Sequence, residues 1–477
     1  MPLTRLSVAC AAALAAGPAL ADAPMPLSPV VVTAAPLSGG RVDVAADVVG
    51  DSDTGDMLTA LPGVDAEAGG GVSSRPVVHG LSDERVNILV DGAPVALACP
   101  DHMNPPLSYA DPHAASQAAV IAGISPVSLG GDSLGATILV QTAQPRFADP
   151  GGALLAGGAG AWFRSNGAGK GGALDATLAS DRLSLTYEAE VAQSGDYTGG
   201  GSDGLVRSTG YQTIDQSLAI AARTPAGLFD LKLSNQTAPY QAFPNAFMDM
   251  TLNSSWAADG GWRQSFGWGE MKARAFYRDT LHKMNFLADK GGDANGGMPM
   301  RELTLSAGGL VEADGRLLDQ GVLRLGGDVR RDQLSDLWAP VAESPMEGPG
   351  AFVNMNHGVR ARAGAFTEWE QTWTPAFRTV LGVRGDLVRM KAGQVHPYAP
   401  GLSMADDMAA AAFNSMDRRR GDAHFDVSAL ARYRPGAHAA FELGVSRKTR
   451  SPSLYERYAW SQSANSQMTG WFGDGNG

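Results

Sequence analysis

From about residue 150 onward the chain is written in a two-residue period, and no other feature restricts its fold as tightly. In Leu183–Val191, the residues Leu183, Leu185, Tyr187, Ala189 and Val191 share one parity, while Ser184, Thr186, Glu188 and Glu190 share the other. Phe229, Leu231 and Leu233 alternate with Asp230, Lys232 and Ser234. Phe425, Val427, Ala429, Ala431 and Tyr433 alternate with Asp426, Ser428, Leu430 and Arg432. Successive side chains of a strand point to opposite faces, so each run has one apolar and one polar face. Strands of a soluble sandwich are usually about 5–6 residues long. These runs are longer, and their pattern fits strands with lipid on one side and a wet interior on the other. The expected fold is mainly β, a transmembrane antiparallel β-barrel over 148–477.

Turn signals fall near Ser180-Asp181, Pro225–Gly227, Asp259-Gly260, Asp314-Gly315, Thr374-Pro375 and Pro435-Gly436. Each interval holds two strands and one longer loop, the short-turn, long-loop alternation of outer-membrane barrels. The count comes to roughly 13 strands. With a Gly-rich end at Gly473–Gly477, the expectation is a partial barrel.

The rest of the chain narrows the compartment. Met1–Ala21 reads as a secretory signal, with Arg5 as its positive region, the apolar Leu6–Leu14 and a small-x-small site at Ala19-Leu20-Ala21. A formal charge of −12 excludes a basic nucleic-acid binder, and 2 Cys exclude a disulfide scaffold. Cys10 lies within the signal, so the mature chain is expected to carry one cysteine, Cys99, with no intramolecular partner. There is no phosphate-cradling Gly loop, no H-E-x-x-H and no nucleophile elbow, so no enzyme is expected.

Residues 22–50 form a Pro-, Ala- and Val-rich leader. Within it Val30, Val31, Val32, Thr33 and Ala34 make a β-prone run between Pro29 and Pro36, suited to adding as a strand to another sheet's edge or to opening the next domain. Residues 51–147 read as a compact α/β domain. It has a short helix at Asp56–Leu61 stopped by Pro62-Gly63, a strand at Arg85–Val90 before the turn Asp91-Gly92, and apolar segments at Gln117–Ile121 and Ala136–Gln141.

Leu61-Pro-Gly-Val64, Arg75-Pro-Val-Val-His-Gly80 and Arg85-Val-Asn-Ile-Leu-Val-Asp-Gly92 resemble the plug domain of TonB-dependent outer-membrane receptors. Arg450-Ser-Pro-Ser-Leu-Tyr-Glu-Arg-Tyr458 resembles a late barrel motif of the same family. The resemblance implies a plug inside a barrel in the outer-membrane lipid. It also implies that Val30–Ala34 is a TonB box pairing with TonB and its energising inner-membrane complex.

One peptide points to a cargo. In Ala98-Cys-Pro-Asp-His-Met103, Cys99 and Met103 are spaced i, i+4, so one helical turn would place thiolate and thioether on one face. Two soft sulfur ligands select Cu(I) over Zn, Mg or Ca. On the strand Glu270–Met284, the parity holding Glu270, Lys272, Arg274 and Arg278 is the lumen side, and it also carries His282 and Met284. Cys-x-x-x-Met with His-x-Met is similar to the ligand set of outer-membrane copper receptors. The resemblance implies plug ligands Cys99 and Met103 and barrel ligands His282 and Met284. Further methionines (Met248, Met250, Met298, Met300, Met355, Met404 and Met408) fall in loop-like stretches as a relay or as gap-fillers, while His102 and His357 are weaker candidates. The expected function is TonB-dependent copper import. Its alternatives are a receptor for a siderophore, haem or cobalamin, a passive porin, and a surface protein that stores or senses copper.

Overall fold

Hydrogen bonding divides the described strands into a five-stranded sheet, a thirteen-stranded sheet and two two-stranded pairs. The computed structural model describes residues 40–42 and 52–461, except 70, 100, 101, 111, 113, 114, 203, 292–296, 343, 345, 346 and 437. The signal expected over 1–21, the Val30–Ala34 segment and Gly473–Gly477 lie outside the described residues.

The N-terminal unit contains β1 (Gly40–Val42), α1 (Thr54–Met57), β2 (Val64–Glu67), β3 (Arg75–Val78), β4 (Val86–Val90), β5 (Ala93–Pro94), β6 (Ala115–Ala122) and β7 (Ala136–Thr142). Asp53 caps α1, accepting from Gly55 N at 2.9 Å and Asp56 N at 3.3 Å, which supplies orphan helix donors with an acceptor. Five strands pair in the order β1-β6-β7-β4-β5, with β4 parallel to β7. Leu58, Val78, Ile88, Leu107, Val120, Ile138 and Val140 form the core. The expected turn at Asp91-Gly92 forms with both residues at positive φ. The Asp91 carboxylate accepts from Thr142 N and Thr142 Oγ1 at 2.8 and 2.9 Å, tying the turn to the end of β7.

The second sheet has thirteen antiparallel strands in sequence order. They are β8 (Leu154–Arg164), β9 (Gly169–Ala179), β10 (Leu183–Ser194), then, past the small outer hairpin β11 (Tyr197–Thr198) and β12 (Leu205–Val206), β13 (Tyr211–Thr224), β14 (Gly227–Gln241), β15 (Asp249–Phe266), β16 (Gly269–Asn285), β17 (Met300–Arg316), β18 (Gly321–Trp338), β19 (Phe352–Thr374), β20 (Phe377–Lys391), β21 (Arg419–Gly436) and β22 (Ala439–Arg447). The expected count is met. Two turn signals are corrected: Asp259-Gly260 lies inside β15, the chain reversing at Gly267-Trp268, and Asp314-Gly315 lies inside β17, the chain reversing at 317–320. Asp-Gly is a turn dipeptide, but Asp259 and Gly260 are paired across to Phe276 and Ala275, so continuous ladder pairing on both sides overrides the local preference.

Burial follows the period. Leu183, Leu185, Tyr187, Val191, Phe229, Leu231 and Leu233 are exposed on the outer face, whereas Ser184, Glu190, Asp426 and Ser428 are buried on the inner one. No helix among the described residues is long and apolar enough to cross a membrane, and the outward apolar face is carried by strands.

The wall wraps the N-terminal unit, as the polar ties between them show. Ser52 Oγ lies 2.8 Å from Tyr211 Oη on β13, and Gln236 on β14 donates to Ser108 O at 2.5 Å. Ser128 donates through its backbone N and its Oγ to Glu368 on β19, at 3.2 and 3.0 Å. Asp132 accepts from the Arg360 guanidinium on β19 and from Ser451 N at 3.0 Å. Burial alone would push the Asp132 carboxyl up, but Arg360 and Arg362 outweigh it and hold the group below its ordinary value.

Asp132→Ala strands the Arg360 charge inside the wall and is expected to cost roughly 3–5 kcal/mol of local stability. Faster hydrogen exchange of the β7 amides is the readout. Because the carboxyl value is depressed, the contribution is present above the ordinary carboxylate range and fades only as pH falls through the lowered value. Protection factors of the parent protein, corrected for the pH dependence of intrinsic exchange, should therefore match at pH 7 and pH 5.

Candidate metal centre

Three strands bring three sulfurs into register. Met250 on β15 pairs across to Met284 on β16, Met284 pairs across to Met300 on β17, and Trp338 on β18 closes the row. All four side chains are buried on the inner face. One row nearer the short-turn end come Asn253, His282, Glu302 and Asp336, also in register and each 0% exposed. Met250 and Asn253 are three residues apart, an odd spacing that a regular strand would put on opposite faces. A register irregularity between Met250 and Leu252 absorbs the extra residue, and this restores the parity of Asn253.

The N-terminal unit completes the sulfur row from inside. Cys99 is 1% exposed, and its Sγ lies 3.4 Å from Met284 Sδ. Met103 is 2% exposed and belongs to the same buried cluster. The expected helical turn is not what joins this pair. Cys99 and His102–Asn104 are irregular loop, with His102 at positive φ and its N donating to Cys99 O at 3.2 Å. The left-handed backbone of His102 turns the chain back on itself, so both sulfurs enter the cluster without a helix.

In all, Cys99 shares one buried cluster with Met103, Met248, Met250, Met284, Met298, Met300, Met355 and Met390. Gap-filling methionines would be scattered through the core. Here eight of the 17 in the chain share one buried cluster with its one described cysteine. Met404 and Met408 do not join them. They lie 79% and 66% exposed on α2 (Met404–Ser415), a helix in the long connection after β20. His357 is an exposed residue bonded to its neighbour Asn356. His102 faces Asp83 at 3.6 Å, in the charged rim of the N-terminal unit. Among the described residues no group of three or more His, Cys, Asp or Glu is arranged to hold a metal, so the donors on offer are dominated by sulfur.

His282 is fixed by its neighbours. Its Nδ1 lies 3.2 Å from Asn253 Oδ1, and the same oxygen accepts from Tyr109 Oη of the N-terminal unit at 3.3 Å. Burial pushes the Tyr109 phenol up to about 12, so it remains an O–H donor. The Arg278 guanidinium sits over its ring at 5.0 Å.

Residues 43–137 match the TonB-dependent receptor plug domain. No curated protein sequence matches the chain. Solved structures share the fold of the plug and the described part of the wall. The copper transporter OprC is 22% identical, covering 86% of this chain and 62% of that one, with a TM-score of 0.71. A double mutant of the Serratia marcescens hemophore receptor HasR, in complex with its hemophore HasA and heme, is 17% identical, covering 91% and 66%, with a TM-score of 0.70. A mutant of the ferric enterobactin receptor PfeA from Pseudomonas aeruginosa is 14% identical, covering 86% and 61%, with a TM-score of 0.60. At these identities the likeness is one of fold, and the chain spans about three fifths of the OprC and PfeA chains.

A clasp within the wall at the long-loop end was hidden from sequence reasoning. Lys290, in the connection after β16, reaches Phe243 O at 2.6 Å, Ala246 O at 3.0 Å, Met248 O at 3.2 Å and Asp249 Oδ1 at 2.8 Å. Asp249 is fully buried and also accepts from Phe243 N and Leu287 N. This clasp joins the connections that carry Met248 and Met298 over the row. A lysine amid loop residues gives no such signal in sequence, because all four acceptors lie more than forty residues upstream.

Lys290→Ala leaves Asp249 charged and buried without its cation, at a cost of roughly 3–5 kcal/mol. Limited proteolysis should cut within 242–248 and 286–299 much faster than in the parent, with β-strand content unchanged by circular dichroism.

Proposed function

We propose that this chain is a TonB-dependent outer-membrane receptor that captures copper as Cu(I) and admits it inward. The observation that carries the proposal is the contact of Cys99 Sγ on the plug with Met284 Sδ on the wall, inside a buried cluster that holds eight methionines among its aromatic and aliphatic residues. Thiolate and thioether are soft donors and favour Cu(I) over hard or borderline cations. The proposed ligands are Cys99 and Met103 from the plug and His282 and Met284 from the wall. Sulfurs this deeply buried suit a bare ion. A siderophore, haem or cobalamin would need an open cavity lined by aromatic and basic groups, and it would leave Cys99 without a role. The plug-domain match and the likeness to OprC support the same reading.

In this mechanism Cu(I) displaces the thiol proton of Cys99, which leaves to solvent as the thiolate binds. The row Met250–Met284–Met300, with Met248, Met298 and Met355 beside it, offers alternative thioethers along the approach. TonB pairs with the Val30–Ala34 segment by strand addition. Its pull moves the plug away from the wall, which separates Cys99 and Met103 from His282 and Met284 and halves the donor set. The division of the chain follows: a signal over 1–21, a TonB-reaching leader over 22–50, the plug over 51–147 and the wall over 148–477.

Metal analysis of the purified full chain should find stoichiometric copper that is lost in both Cys99→Ala and Met284→Ala. Equal copper in all three proteins, or preferential binding of an iron chelate or haem, overturns the proposal. Deletion of residues 28–36 should abolish copper uptake in cells and leave binding by the purified protein intact. Uptake that survives the deletion counts against TonB dependence.

A further inference from the structure

We infer that Asn253 and Tyr109 are positioning residues that hold His282 in its Nδ1–H tautomer, and that the plug, through Tyr109, has a share in that control. The inference rests on the copper reading for its purpose but not for its geometry. Asn253 lies directly across from His282 on the neighbouring strand, turned inward by the irregularity at 250–252. Its Oδ1 is 3.2 Å from His282 Nδ1 and 3.3 Å from Tyr109 Oη. An amide oxygen only accepts, so imidazole and phenol must both donate to it. The His282 proton is then on Nδ1, and Nε2 carries a lone pair. Nε2 is buried and, among the described residues, has no hydrogen-bond partner.

A neutral imidazole ligates through the nitrogen that lacks the proton, and the hydrogen bond at the other nitrogen sets which one that is. Asn253 thus aims a basic Nε2 into the interior. The reversed amide would present Nδ2 to Nδ1, force the proton onto Nε2 and abolish that lone pair. By donating to the same atom Tyr109 favours the oxygen-inward orientation without enforcing it, since its hydroxyl can also accept.

Tyr109 gives this arrangement its second consequence. It ends the plug segment that begins with Cys99 and Met103, and the short turn Pro106–Tyr109 sets its ring under Arg278. One segment, residues 99–109, therefore supplies two sulfurs and the clamp on the wall's imidazole. When that segment moves, the sulfurs withdraw and the Asn253 amide is freed to rotate in the same displacement.

The test needs no copper for its first arm. In protein labelled with ¹⁵N-histidine, solid-state NMR reads each imidazole tautomer, and the His282 signal is identified by its loss in His282→Gln. Nδ1–H is expected in the parent and in Asn253→Asp, whose carboxylate can only accept. A majority of Nε2–H is expected in Asn253→Leu, and a mixture in Tyr109→Phe. The second arm measures Cu(I) affinity by chelator competition and the imidazole contribution by X-ray absorption at the copper edge. Asn253→Leu should lose the imidazole scatterer and bind about 10–100-fold more weakly. Asn253→Asp should retain both, and Tyr109→Phe should fall between. An Nε2–H parent, or an Asn253→Leu variant with the parent's tautomer, overturns the inference. A Tyr109→Phe variant identical to the parent in both arms removes the plug's share. A parent with the expected tautomer that binds no copper overturns the copper reading and leaves the positioning established.

Discussion

A strand surrounded by hydrocarbon cannot lend its amides to water, and each backbone group left unmatched there costs several kcal/mol. Placed in a bilayer as proposed, the wall answers that restriction. The restriction forces the long antiparallel ladders, which in turn force the two-residue period. The period then divides every strand into a face for the surroundings and a face for the interior. With the inner face freed from contact with lipid, charge and polarity accumulate there, and a folded plug can be held by them. Ser128 on Glu368 and Asp132 on Arg360 are such attachments, polar on both sides and reversible in principle.

The ladder also sorts chemistry by height. Because strands in register place equivalent positions side by side, a residue type repeated across neighbours becomes a transverse band. Methionines form one band, Asn253, His282, Glu302 and Asp336 the next, and Ser255, Thr280 and Thr304 a third. The donors thus change from soft to polar in a few ångströms along the wall, since consecutive inward residues of a strand are only about 7 Å apart.

Much of this was legible from sequence, and the exceptions have physical causes. The period gave away the inward side of Glu270–Met284, so His282 and Met284 could be placed on a common face. Cys99 stood out because a secreted chain rarely keeps one thiol. The spacing of Cys99 and Met103 suggested a helix, whereas the backbone bends through a left-handed His102 that no propensity rule favours at that position. Asp259-Gly260 looked like a turn and is strand, because tertiary pairing outweighs a dipeptide preference. Asn253 was invisible for a subtler reason: an extra residue in β15 shifts its parity, and the period that reveals its neighbours conceals it. Lys290 and Tyr109 act on atoms far along the chain, a relationship that only the folded register creates.

The contact between Cys99 and Met284 crosses the boundary between two bodies, and this has a thermodynamic consequence. Any ion gripped from both sides binds the docked arrangement and not the separated one, so cargo acts as an adhesive. At a concentration a thousand times its dissociation constant it adds about 4 kcal/mol to docking. On the proposed function, machinery that withdraws the plug would have to supply that much more work with the ion bound than without it. On that reading, tighter capture would mean harder delivery, and the number of donors on each side of the seam would set the compromise between scavenging and release.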